Sequence, residues 1–279
     1  MKKGTGVVVF GIVLSVAGLI VAGVSAKKAY DDYKSLDKFK TGHIDLVENT
    51  KLNIEVDAGT VTVHHSTTTT SYIDYKVFNF YDVKYDESDN EIKMKRKWQY
   101  WFVWFPNNNS TMDIYLTDKD YDAYLELNAG KLIVEDDFKF NSLTIDVSAG
   151  TLNTGNFTVN NDMDVKISAG TINLGNVTTG GSAVLKESAG TVDVKYIEAK
   201  SVETRLSAGS MDVKVKSDNI SFRLSAGDLD MTIIGKQEDY KTTIKKSAGS
   251  CNIDNNMSGA KTLDGKLSAG SATIKFVEE

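Results

Sequence analysis

The 279-residue chain has one proline, Pro106, one cysteine, Cys251, and three histidines, His43, His64 and His65. A lone cysteine cannot form an internal disulfide, and so few thiols and imidazoles exclude a Cys/His structural zinc cluster. A single proline excludes collagen-like chains and rigid polyproline linkers. Basic residues are also outnumbered by acidic ones. Beyond the amino-terminal Lys2 and Lys3, residues 27–279 carry 30 basic and 38 acidic side chains, a net charge of −8. A body of that sign lacks the broad basic face that nucleic acid requires, so no nucleic-acid partner is expected. What the chain does have is 22 glycines and 41% hydrophobic against 25% charged residues. That is enough apolar material for a packed core and points to many tight turns.

From Val7 to Val24 the sequence runs eighteen residues without a charge, Asn, Gln or Pro. A helix of that length and polarity can cross a bilayer, so residues 1–29 are expected to form a membrane anchor with a short cytoplasmic amino end. Lys2 and Lys3 favour that orientation, with the bulk of the chain extracytoplasmic, although Lys27 and Lys28 flank the other side. A cleaved secretory signal is the competing reading, because Val24-Ser25-Ala26 offers small residues before a polar stretch. Residues 30–43 read as a linker.

An Ala-Gly pair recurs along the rest of the chain. It ends at Gly59 and Gly130, then, preceded by Ser, at Gly150, Gly170, Gly190, Gly209, Gly227, Gly249 and Gly270. From Gly130 onward the intervals are 20, 20, 20, 19, 18, 22 and 21 residues. Apolar residues alternate before the pair, as in Ile145 and Val147, and resume after it, as in Thr171-Ile172-Asn173-Leu174. Period-two alternation signals strands, and the inward set, taken to include the Ala, changes phase at each glycine, as only a turn or bulge allows. One such unit buries too little to be stable, but stacked units share a continuous core. Twenty residues at ~3.3 Å each give a coil perimeter of roughly 60 Å, suited to two or three short strands. The expected fold is therefore all-β: a single-chain β-helix, of right-handed coil, preceded by one transmembrane helix. Nine coils at ~4.8 Å make a rod of about 40 Å, each laid on the one before it.

Gly59 and Gly130 are 71 residues apart, so something interrupts the stack. Residues 44–128 read as a first coil plus an aromatic-rich cap or insert, with strands at Tyr72–Tyr85, Glu91–Phe105 and Met112–Leu116, and residues 129–279 as the regular repeats. The insert holds all three tryptophans directly behind Lys93, Lys95, Arg96 and Lys97. Trp98, Tyr100, Trp101, Trp104 and Phe105 are candidates for contact with a membrane interface or a partner, where aromatic rings beside basic groups suit anionic lipid. A core strand under the cap and a sugar-stacking platform are the other readings.

No catalytic constellation emerges. The corner serines have no repeating base beside them and no Gly-x-Ser-x-Gly elbow, and they read as corner residues whose hydroxyls bond nearby backbone. The Asn and Asp after each glycine suit a side-chain ladder better than a metal row. Cys251 falls at an inward position and reads as an inert buried thiol. The histidines read as isolated surface or loop residues. No cofactor and no metal are expected.

The repeated apolar-x-apolar-Ser-Ala-Gly-Thr-apolar-Asn/Asp-apolar motif behind an amino-terminal apolar segment resembles the LiaG-like putative adhesin domain family of bacterial cell-envelope proteins, over residues 44–279. That resemblance implies a β-helical, non-enzymatic, extracytoplasmic module, linked in some members to envelope-stress systems. It brings no catalytic residues. The expectation is a single-pass cell-membrane protein that binds a cell-wall polymer, the membrane or an envelope protein. Two alternatives stand beside it: a polysaccharide-active β-helix enzyme, and a scaffold for a neighbouring membrane protein.

Overall fold

The structure, a computed structural model, describes residues 25–28, 39–97 and 109–278. The expected membrane segment, Val7 to Val24, lies outside the described residues, as do Trp98, Tyr100, Trp101, Trp104 and Phe105. Among the described residues no helix is long and apolar enough to cross a membrane.

Each Ala-Gly coil contributes one strand before its glycine and one after it, and equivalent strands of neighbouring coils pair in parallel. The strands that enter the corners, such as Met163–Ile167, Ser182–Glu187, Ser201–Leu206 and Asn219–Leu224, form one wall. The strands that leave them, such as Thr171–Thr179, Thr191–Glu198 and Ser210–Lys216, form a second. In the middle coils a short third wall is built by residues 138–140, 157–159 and 177–179. Within Thr171–Thr179 the buried positions are 172 and 174, then 177 and 179. The odd step at Gly175-Asn176 is a second corner, so these coils are three-sided. Their interior is a single apolar column that includes Ile145, Val165, Leu185, Phe222 and Leu263.

Every corner glycine has positive φ, from +84° at Gly249 to +134° at Gly190. A Cβ on Gly150, Gly170 or Gly190 would also strike the carbonyl of the glycine one coil away, so the corner admits nothing larger. The alanine beside it does not point inward as expected. Ala149, Ala169, Ala189 and Ala208 are exposed, because the chain already bends at the Ser-Ala-Gly triplet and the inward set ends one residue before the serine.

The coils do not follow one another in chain order, as a simple staircase would. At the carboxyl end, Lys261–Leu267 inserts between Asn219–Leu224 and Tyr240–Lys246, and Ser271–Val277 between Asp228–Ile234 and Ser250–Cys251. The Gly249 coil is outermost, and the last coil of the chain fills the space behind it. The amino end repeats the device. The strand Lys51–Val56 lies between Glu91–Arg96 on its outer side and Tyr121–Leu127 on its inner side. Likewise Thr60–His65 lies between Thr111–Leu116 and Lys131–Val134. The chain thus lays down the Gly59 coil, overshoots outward, and returns to begin the regular stack at Gly130.

The insert differs from its expected strands. Residues 72–85 are two strands, Tyr72–Phe78 and Tyr81–Asp86, divided by a turn at Asn79-Phe80. The second forms an antiparallel hairpin with Glu91–Arg96, where the described strand stops. Tyr72–Phe78 runs antiparallel to Thr111–Leu116 and is itself covered by Phe39–Asp45, which begins inside the stretch read as linker. Antiparallel strands on the outer edge break the parallel register and cover the edge that a parallel stack would leave open.

Two polar groups interrupt the column. Glu187 stands where Val147, Ile167, Leu206 and Leu224 stand in other coils, and it is 2% exposed. One carboxylate oxygen accepts from the Ser210 amide at 3.2 Å, and the other has no partner. Burial pushes this carboxyl up to about 7. The Thr204 hydroxyl, in the neighbouring coil, is also buried without a partner among the described residues.

Candidate functional site

In a parallel, in-register stack, a side chain at one outward position stands ~4.8 Å from its equivalents in the coils above and below. Each wall therefore presents files of residues. On the wall that enters the corners, the outward residue four before each glycine forms such a file. From the amino end it reads Glu55, Glu126, Asp146, Lys166, Lys186, Arg205, Arg223, Lys266, Lys245, each in register with the next. Three carboxylates are followed by six cations without interruption.

The cations fall into two groups. Lys166 reaches Asp146 at 3.2 Å, Lys186 reaches Asp164 at 2.6 Å, and Arg205 Nε donates to Glu203 at 2.7 Å. The Arg205 guanidinium holds the Glu203 carboxyl below the usual range. Arg223, Lys266 and Lys245 have neither an ion pair nor a hydrogen bond among the described residues. They rim a shallow groove of about 340 Å³, shared with Ser221, Thr243 and Asp264 and floored by Phe222 and Gly265. Gly265 faces inward, and a Cβ there would collide with the Phe222 ring and with Ile244.

The corner serines run beside this file, two residues further along the chain, just past each strand end, and exposed. Their amides bond the neighbouring coil, as Ser168 to Val147 and Ser188 to Ile167 do. Contrary to expectation, the hydroxyls of Ser168, Ser188, Ser207, Ser225 and Ser268 bond nothing among the described residues. Each serine stands exposed at the bend, where its hydroxyl is open to solvent.

After the corners the expected amide ladder forms in part, with Asn173 donating to Asn153 at 2.7 Å. Asp193, Asp212 and Asp230 continue it in register. Partial burial, then the neighbouring Asp193 and Asp230, raise the Asp212 carboxyl. Among the described residues no group of three or more His, Cys, Asp or Glu is placed to hold a metal ion. Cys251 is a free, partly buried thiol packed against the core.

The histidines are not isolated. On the leaving wall at the amino end, four rings form a row across four strands: His43 lies tilted against Tyr72 at 5.2 Å, Tyr72 stacks on Tyr115 at 4.5 Å, and Tyr115 stacks on His64 at 4.8 Å. Each terminal histidine bridges two carboxylates. His43 meets Asp74 at 2.6 Å and Asp45 at 3.2 Å, while His64 meets Glu135 at 2.7 Å and Asp113 at 3.2 Å. The Asp74 bond, with help from Asp45, raises His43 above its ordinary value. His65 stacks on Phe138 at 4.1 Å. These positions are far apart in the sequence, and only the pairing of the outer strands brings them together.

The proposed contact residues Trp98, Tyr100, Trp101, Trp104 and Phe105 lie outside the described residues, but the ends of their segment are placed. Lys97 donates its amide to Phe80, and the Ser110 carbonyl accepts from Thr60 beside the Gly59 corner.

A family model described as Toastrack DUF4097 matches residues 49–277, nearly all of the stacked body. The chain belongs to the Toastrack DUF4097 family. Solved structures similar to this Toastrack chain include a putative adhesin from Bacteroides fragilis, 14% identical over 87% of this chain and 98% of that one, with a TM-score of 0.48. A putative adhesin from Parabacteroides merdae is 12% identical over 86% of this chain and 97% of that one, with a TM-score of 0.37. A putative lipid binding protein from Parabacteroides distasonis is 12% identical, with the same coverage and a TM-score of 0.34. A comparison with curated proteins returns no match.

Proposed function

We propose that this Toastrack DUF4097 chain is a LiaG-like binding module, tethered by its amino-terminal apolar segment and displayed on the outer side of the cytoplasmic membrane. There it contacts a wall polymer, the membrane or an envelope protein without transforming it, in connection with the response to envelope stress. The observation that carries this reading is the form of the surface. Its outward groups stand in files along parallel strands, a layout that offers repeated contacts to an extended partner, whereas catalysis needs different groups converging on one reacting atom. The uncharged run from Val7 to Val24 supports the tether.

Protease added to intact protoplasts should cleave the body and spare the amino-terminal segment. Purified full-length chain should retain envelope polymers whose composition is unchanged after incubation. Protection of the body in intact protoplasts would refute the topology, and release of sugar or phosphate fragments would favour the polysaccharide-active alternative.

A further inference from the structure

Resting on that reading, we propose that the file Lys166, Lys186, Arg205, Arg223, Lys266, Lys245 is a binding track for a linear phosphate polymer, an unbranched chain of closely spaced phosphates or phosphodiesters. Three features of the file specify this ligand. The first is its dimension: six cations in register at ~4.8 Å span about 24 Å in single file, which matches a chain of anions and not a compact one. The second is its flanks. The outward file on one side contains Asp164, Glu203 and Asp264, which repel a broad anionic layer and leave the attractive strip one residue wide. On the other side, two residues further along the chain and just past each strand end, stand the unpartnered hydroxyls of the corner serines, as donors for phosphate oxygens. The third is the state of the cations. Arg223, Lys266 and Lys245 make no ion pair or hydrogen bond among the described residues, Arg223 acting on Glu203 only at longer range, and they rim the groove over Phe222 and Gly265. Like charges held ~4.8 Å apart repel one another, and an anion lying along them relieves that repulsion.

The net charge of the body is negative, so the general pull on an anion is weak and this strip is a local run of positive charge. Of the three carboxylates that precede it, Asp146 is paired with Lys166 and Glu55 with Lys93 and Lys95, and Glu126 opposes extension of a bound anion toward the amino end. A bound chain is thus positioned along the carboxyl-terminal coils. The guanidinium groups of Arg205 and Arg223 present paired donors that suit phosphate, and the lysines act as point charges.

The test is titration of the full-length chain, in uncharged detergent, with linear inorganic polyphosphate of graded length. Affinity should rise with length until the chain spans the file, then level off. The triple variant Arg223→Ser, Lys245→Ser, Lys266→Ser should lose at least tenfold in affinity. Its salt dependence should flatten by about 2 in the slope of log K against log salt, at ~0.7 per phosphate neutralised. Replacing Lys139, Lys195 and Lys214 by Ser removes the same charge elsewhere and should change affinity less than twofold. Replacing Asp164 by Asn and Glu203 by Gln frees Lys186 and Arg205 and should tighten binding severalfold, a gain that a purely structural role for these carboxylates does not give.

Equal losses in the two triple variants, or affinity independent of chain length, would overturn the track and leave the binding-module reading standing. Shortening of polyphosphate by the wild-type chain would overturn that reading while leaving the contact in place. Tighter, Arg223-dependent binding to phosphatidylglycerol vesicles, or to oligodeoxythymidylate, would overturn the assignment to a base-free phosphate polymer.

Discussion

The ring of Phe222 occupies the space where a side chain on Gly265 would stand. Phe222 enters the Gly227 corner and Gly265 enters the Gly270 corner, and the two are register partners although the Gly249 coil comes between them in the chain. On the far side Gly265 meets Ile244. Had the Gly249 coil docked first, Ile244 would face Phe222 directly. The missing side chain of Gly265 lets the last coil slip between two bulky neighbours.

Filling that space should be costly. Gly265→Leu is expected to destabilise the protein by about 1–3 kcal/mol through overpacking. Adding Phe222→Ala should recover part of the loss, with a coupling of about 1–2 kcal/mol measured in a double-mutant cycle of urea unfolding. Strictly additive losses would show that the two positions do not share one space.

Truncation after Ala260 should release more than it deletes. Among the described residues, the strands Tyr240–Lys246 and Ser250–Cys251 find their parallel partners only in Lys261–Leu267 and Ser271–Val277. Loss of the last coil should therefore expose residues 240–251 to protease and to rapid amide exchange, while Asn219–Leu224 keeps its protection from the inner neighbour Ser201–Leu206. Retained protection at 240–251 would mean that the outer coil had slid inward onto Asn219–Leu224.

Glu187 makes stability depend on pH. Its carboxyl is pushed up to about 7 in the folded protein from an ordinary 4.5, so the folded state holds a proton that the unfolded state releases. Below about 4.5 there is no penalty; it grows as pH rises and is complete above about 7, where it reaches roughly 3 kcal/mol. Glu187→Gln should flatten this part of the stability profile and raise the melting temperature at pH 8. The Ser210 amide keeps its bond to the Gly190 carbonyl at 3.1 Å, so Glu187→Leu should do the same. An unchanged slope between pH 5 and 7 in either variant would locate the pH dependence elsewhere.

His43 should titrate above its ordinary value of 6.5, because Asp74 and Asp45 bond its protonated form. Its contribution is present below 6.5 and lost as pH rises through the raised value. Asp74→Asn should bring the titration midpoint, followed by the imidazole proton resonances, back toward 6.5, with Asp45→Asn having the smaller effect. The opposite ranking would assign the dominant bond to Asp45.

Much of the architecture is legible in the residues themselves. Each Ser-Ala-Gly triplet marks a bend with positive φ, and the alternation on either side fixes which residues face the column. Coil length follows from the spacing, whereas the strands of the insert and the one at Phe39–Asp45 do not. The cationic track was hidden because Lys186 and Arg205 look like ordinary outward charges until the register stacks them. The ring row was hidden more deeply, since His43, Tyr72, Tyr115 and His64 belong to strands whose pairing is antiparallel at one end and out of chain order at the other.

The sequence by itself determined the local geometry: where the chain bends, which large apolar side chains turn inward, and that repeated units share one core. Those choices depend on φ at glycine and on burial of alternate residues, both set within a few positions of the chain. Only the tertiary structure decided which coil lies against which, because all the coils present nearly the same hydrogen-bonding edge and the backbone alone does not distinguish Gly249 from Gly270 as the neighbour of Gly227. That selection falls to side-chain volume inside the column, at contacts such as Phe222 with Gly265, and every file of charges on the outer surface inherits its order from it.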